Sequence, residues 1–187
     1  MIINFAVTRL VLRRTLLRMR YLASFVVTLA WGLWLGGMVA LIVFVQTLFV
    51  RNRPVALEAA PMLFVAFERV QLVLAAAAVV GTFCWWLLTR RRAVMVLFAL
   101  LAISGAIAAM STTLNTAPME VLRARGMRES AEFKRLHRRS TTMYMAEMVL
   151  LLGAGAILAR ANGNVTRADP NPAPGSSPET VPDTAAA

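Results

Sequence analysis

From Tyr21 to Val50 no side chain carries a charge. The same holds from Val70 to Thr89 and from Ala93 to Met119, while Ser140 to Ala159 is interrupted only by Glu147. Each run is about 20 residues or longer, enough to cross a hydrocarbon core of roughly 30 Å at ~1.5 Å per residue. The chain is 59% hydrophobic with mean hydropathy +0.66, too apolar for a water-soluble fold of 187 residues. Inside lipid the backbone must bond within its own segment or around a closed barrel. The runs lack the alternation of a barrel strand, which leaves helices. The expected fold is all-α and polytopic, an up-and-down bundle of four transmembrane helices. Its spans fall near residues 21–50, 62–89, 93–115 and 140–160, in one domain.

The net charge of +11 does not point to nucleic acid, because the basic residues gather at the ends of the apolar runs, where topology signals belong. Residues 1–20 mix apolar side chains with five arginines and read as an interfacial helix leading into the first span. That span is too long for a cleaved signal peptide and has no small-residue cleavage site. Pro61 suits the first turn of the second helix. "TRRR" (89–92) is a tight turn. Gly126 breaks the loop after span three, and Ser130 can cap the helix entering span four. From Ala161 onward the Asn, Gly, Pro, Ser and Thr content predicts a disordered tail. Cys84, the single cysteine, allows no intrachain disulfide and reads as a lipid-facing or packing residue. Lys and Arg counts on the two sides of the bundle are tied. The arginines closest to span ends favour a cytoplasmic N-terminus, with a bacterial plasma membrane as the expected location.

Four-span connectivity puts the end of span one, the start of two, the end of three and the start of four on one side. The polar residues fall there: Gln46, Glu68, Arg69, Gln71, Ser111, Thr112 and Asn115. On span four, His137, Ser140, Tyr144 and Glu147 follow at spacings of 3, 4 and 3, within about 80° of one helical face. Half of the bundle interior is thus expected to be polar and the other half dry. A carboxylate in a membrane helix costs roughly 2.5–3.5 kcal/mol at the centre, so Glu147 should face the bundle and find a partner. Arg69, Gln71 and Asn115 are the expected partners, with Tyr144 alongside. Such a cluster reads either as a ligand, ion or proton site or as a network fixing helix register. His137 reads either as a titrating or metal-binding group or as an interfacial hydrogen-bonding residue. Met143, Met145 and Met148 fall on different helix faces, which favours packing over a soft-metal cluster. Gly32 and Gly36, four apart, are expected at a close helix contact.

Three stretches resemble a known family: "WLGGMVA" in span one, "LNTAPMEVLRARG" after span three and "FKRLHRRST" before span four. The pattern is similar to the transmembrane protein 205-like family, an uncharacterised four-helix membrane domain of the DUF4149 type. The matching positions are Trp34 and Gly36; Pro118, Met119, Leu122 and Arg123; and Phe133, Leu136, His137 and Ser140. The resemblance covers roughly residues 21 to 160. This chain has Tyr144 near the place where the family more often has asparagine. The resemblance implies a fold and a membrane location, and no reaction.

Walker-type and dinucleotide glycine loops, Cys/His metal spacings and nucleophile elbows are missing. No catalytic residue, metal site or cofactor is therefore expected. The favoured role is a non-enzymatic membrane protein whose polar half-bundle binds a small ligand or ion, or fixes packing. A haem- or metal-linked redox protein is the alternative, with His137 the one histidine available to it. Expected partners are the lipid bilayer, anionic headgroups at the basic loops and a second copy of the chain.

Overall fold

The buried side chains of each long helix recur at spacings of three and four residues. In α1 (Ile2–Arg51) they are Val27, Ala30, Trp34, Met38, Leu41 and Val45. In α2 (Arg53–Thr89) they include Glu68, Gln71, Ala75, Ala78, Thr82 and Trp85. In α3 (Arg92–Ser111) they are Val94, Leu97, Leu101, Ser104, Ala108 and Ser111. A π-helical turn (Thr112–Thr116) and the short α4 (Ala117–Ala124) follow. In α5 (Ala131–Thr166) the stripe is Tyr144, Glu147, Leu151, Ala154, Leu158 and Ala161. A three-four repeat is the seam of a left-handed bundle. These elements come from a computed structural model that describes residues 2–166, with side chains over residues 14–163.

The four long helices close a ring, α1 on α2, α2 on α3, α3 on α5 and α5 on α1. Trp34, Trp85, Met38, Leu97, Leu101 and Leu151 fill its centre. Outward faces carry exposed apolar residues along their length, among them Phe25, Leu33, Phe44, Val73, Val96, Ile103, Val149 and Leu152. A helix apolar both inside and outside has lipid for its solvent. All four are long and apolar enough to span a membrane, so the chain is a multi-pass membrane protein.

The connections are short and chemically specified. Asn52 alone joins α1 to α2 and accepts a hydrogen bond from the Val55 N–H at 3.3 Å, with Pro54 in the first helical turn. Pro54, not Pro61, therefore starts α2; Pro61 lies inside the helix. Arg90 ends α2 in the left-handed conformation (φ 52°), its guanidinium stacked 4.5 Å from the Trp86 ring centroid. Gly126 (φ 72°) ends the segment after α4. Its N–H donates to Arg123 O and that of Met127 to Leu122 O, a Schellman closure that requires the left-handed residue. Ser130 caps α5 as expected, accepting from the Phe133 N–H at 3.1 Å. Lys134 beside Glu129, 2.9 Å away, holds that exposed carboxyl below its ordinary range through their hydrogen bond.

The π-helical turn has a local cause in Pro118. A proline has no N–H and its ring collides with the carbonyl four residues back, here Leu114. Widening the helix by one residue relieves that collision, and the Ala117 N–H donates five residues back, to Thr112 O. The extra residue also resets the seam. Asn115 and then Met119 and Leu122 point inward, and the last two pack on Leu136 and Phe133 of α5.

Three expectations about organisation change. Residues 2–20 are the first turns of α1, continuous with the span rather than a separate interfacial helix, because nothing there breaks the helix. Residues 161–166 extend α5, and the rest of the expected tail lies outside the described residues. The half of the bundle expected to be dry contains polar pairs near its rim. Ser24 donates to Asn162 Oδ1 at 2.7 Å, joining α1 to α5.

A buried polar cluster around Glu147

Glu147 occupies the turn between Tyr144 and Leu151 on the inward stripe of α5 and is completely buried. Its Oε1 accepts two hydrogen bonds, from Trp34 Nε1 of α1 (2.8 Å) and from Gln71 Nε2 of α2 (2.5 Å). The Gln71 carbonyl oxygen in turn accepts from the Tyr144 hydroxyl at 3.3 Å. Phe64 meets the Tyr144 ring edge-on, centroids 5.9 Å apart, and closes that side. One carboxylate oxygen thus ties three helices together. Both donors are neutral, and among the described residues no cationic side chain pairs with Glu147.

The second oxygen is different. Glu147 Oε2 is buried and has no hydrogen-bond partner among the described residues, and the same is true of Ser111 Oγ and Asn115 Oδ1. Asn115 Nδ2 donates to Met143 Sδ at 3.1 Å, which sets the register of the π-helical turn against α5. Since α3 and α5 run antiparallel, one turn from that bond brings Ser111 to the level of Glu147. Three unpartnered buried oxygens, a carboxylate, an amide carbonyl and a hydroxyl, therefore sit on two adjacent turns of facing helices. Buried polar atoms are nearly always bonded, so three together call for a reason.

A second buried carboxylate lies one turn before Gln71. Glu68 Oε1 accepts from Thr116 Oγ1, at the end of the π-helical turn, at 2.6 Å. The irregular turn thus presents Asn115 to one carboxylate's helix and Thr116 to the other carboxylate. Isolated π turns of this kind recur at functional sites because they re-aim side chains at the cost of one regular hydrogen bond.

Of the expected residues, Gln71 bonds both Tyr144 and Glu147, while Asn115 bonds Met143, the residue before Tyr144 on α5. Ser140 is half-buried one turn outside the cluster. Arg69 does not partner Glu147. It follows the inward Glu68, and the helix rotation between neighbours turns it outward into a cleft of about 370 Å³ lined also by Glu58, Glu120, Arg123 and Arg128. Gln46 is exposed, because the seam of α1 runs through Leu41 and Val45 instead. His137 is exposed and stacks on Phe133, ring centroids 6.4 Å apart; Leu136 turns inward in its place to meet α4.

Gly32 and Gly36 face away from every other helix: a Cβ at either would meet nothing within 4 Å. The close approaches are at Gly37, where a Cβ would come 2.5 Å from the Phe67 ring, and at Gly155, where it would run into the Trp31 ring. Two members of the cluster, Trp34 and Thr116, were not among the expected site residues. Trp34 could have been found by following the spacing Val27, Ala30, Trp34, Met38, which puts its indole on the seam. Thr116 needed the π turn, which no periodicity announces.

Models of protein families, curated proteins and solved structures were compared with the chain, and none matches it.

Proposed function

We propose that this multi-pass membrane protein is a non-enzymatic binder of a small cation held by Glu147, Ser111 and Asn115. The observation that carries the reading is the set of three buried oxygens without partners, on the end of α3, the π-helical turn and the facing α5. An all-oxygen set with one carboxylate suits a hard cation rather than a soft metal. A positive charge there also offsets the cost of holding a carboxylate in a low-dielectric interior. Trp34 and Gln71 hold Oε1, so the free oxygen is presented in one orientation. The apolar layers of Leu97, Leu101 and Leu151 beside the cluster favour binding over passage across the membrane. Membership of the transmembrane protein 205-like family is part of the same proposal and rests on the motif residues given above.

The test is thermal unfolding of the full chain in detergent, titrated with sodium, lithium and potassium chloride against choline chloride at equal ionic strength. Binding to the native state raises the midpoint in proportion to the logarithm of cation concentration. Glu147→Gln keeps an acceptor for Trp34 and Gln71 but replaces Oε2 with a donor. It should retain the helical circular dichroism and lose the cation-dependent rise. An unchanged midpoint in all three salts, or an identical rise in the variant, rejects the proposal.

A second reading, a purely architectural network, is favoured by the two hydrogen bonds converging on Oε1. It expects Glu147→Gln to change the midpoint equally at every salt composition.

A further inference from the structure

Among the described residues, the end of the bundle opposite Glu68 carries only one sign of charge. The described arginines there are Arg14, Arg18, Arg20, Arg90, Arg91, Arg92 and Arg160. The described carboxylates are Glu58, Glu68, Glu120, Glu129 and Glu132 at the other end and Glu147 in the interior. A cavity of about 280 Å³ opens at this cationic end, between α1 and the turn joining α2 to α3. It is lined by Leu16, Leu17, Arg20, Leu88, Thr89 and Arg91.

Arg20 is the informative residue. It is half-buried, and its Nε and Nη2 are screened from solvent with no acceptor among the described residues. Leaving guanidinium donors buried and unpaired is costly. Arg90 is engaged on the Trp86 face, whereas Arg91 lines the cavity. Arg91 is also the residue preceding α3, whose start has no side-chain cap, so the first N–H groups of a 20-residue helix open at the same place. The Thr89 hydroxyl donates its hydrogen to Trp85 O at 2.9 Å, which leaves the arginines as the side-chain donors of the cavity, while Leu16, Leu17 and Leu88 supply an apolar wall.

We propose that this cavity binds a phosphoryl oxyanion, with Arg20 as the fork-shaped donor, Arg91 as the second cation and the start of α3 behind them. A guanidinium matches two oxygens of a phosphate in its plane, which a surface lysine does not. The cavity lies where two spans end, with Thr89 on its wall one helical turn beyond Trp86, a residue type that favours the membrane interface. Its leucine wall suits the glycerol and upper acyl carbons of a phospholipid, whose phosphate the arginines would hold; a free phosphate presents the same oxygens.

The experiment uses the full chain in detergent at constant ionic strength, in two arms. One titrates a short-chain phosphatidylglycerol and counts bound lipid by native mass spectrometry. The other titrates inorganic phosphate and follows thermal unfolding. Arg20→Gln and Arg91→Gln should each weaken binding roughly tenfold, the loss expected for one charge-assisted contact. Arg51→Gln, at the opposite end, and Glu147→Gln should leave it unchanged, which separates this site from the cation site proposed at Glu147. Binding of the lipid alone assigns a headgroup site, and binding of both or of phosphate alone assigns the oxyanion itself. If Arg20→Gln does not fold, Arg91→Gln in the exposed turn carries the comparison. Absence of binding in both arms overturns the proposal, as does an affinity unaltered in the arginine variants or equally weakened in Arg51→Gln.

Discussion

At Glu147 two oxygens of one side chain have different duties. Oε1 is an acceptor shared by an indole and a carboxamide, and Oε2 is buried without a partner, as are Ser111 Oγ and Asn115 Oδ1. Chemically graded substitutions separate the two. Glu147→Gln preserves the shape and the Oε1 acceptor, so without added cation its stability should stay within about 1 kcal/mol of the parent. Glu147→Leu preserves volume and apolar packing but leaves the Trp34 and Gln71 hydrogens without an acceptor. That should cost about 1–3 kcal/mol, read as a lower unfolding midpoint in detergent. A Leu variant as stable as the Gln variant would mean that neither hydrogen bond contributes to folding. Much of this was legible in the sequence. A carboxylate on the Tyr144, Glu147, Leu151 stripe has to face inward, and Gln71 lies on the corresponding stripe of α2. Its bond to an indole was not legible, because a tryptophan in an apolar run reads as bulk.

At the scale of helices, close contact is set by which small residue lies opposite a large one, not by how small residues are spaced. Gly32 and Gly36 have the spacing of a packing motif and face outward. Gly155 has no such spacing and accommodates the Trp31 ring, whose Nε1 donates to Leu151 O at 2.8 Å. Gly155→Ala should therefore force α1 and α5 apart or displace the indole, at a cost of about 1–3 kcal/mol. Gly32→Ala and Gly36→Ala, with open space around each Cβ, should be neutral or slightly stabilising, since alanine is the better helix former. Thermal unfolding of the three variants in detergent checks the order. Equal effects at positions 36 and 155 would show that the outward face is also packed, as it would be against a second copy of the chain. The π-helical turn belongs to the same scale. Pro118 was visible in the sequence, but whether a proline kinks, ends or widens a helix depends on what the following turn must reach. Here Met119 and Leu122 must reach Leu136 and Phe133.

For the whole molecule, the ring of four helices closes where the first span meets the last. Side chains bridge that seam at three levels: Ser24 to Asn162, Trp31 to the Leu151 carbonyl, and Trp34 to Glu147. In lipid there is no hydrophobic force between helices, so such bonds and close packing have to hold the ring shut. A double-mutant cycle of Ser24→Ala and Asn162→Ala should give a coupling energy of about 0.6 kcal/mol, the usual size for membrane interhelical hydrogen bonds. A coupling indistinguishable from zero would leave closure to the tryptophans alone.

Four spans, their order and the inward carboxylate follow from the sequence by itself. Charge-free runs of sufficient length leave the backbone no alternative in lipid, and an isolated acid has to avoid it. The tertiary structure decided which polar groups meet. Gln46, Arg69 and His137 share an end of the bundle with Glu147, but a rotation of 100° per residue separates the side chain that enters a seam from the one that meets lipid or water. Only packing of all four helices fixes that rotation.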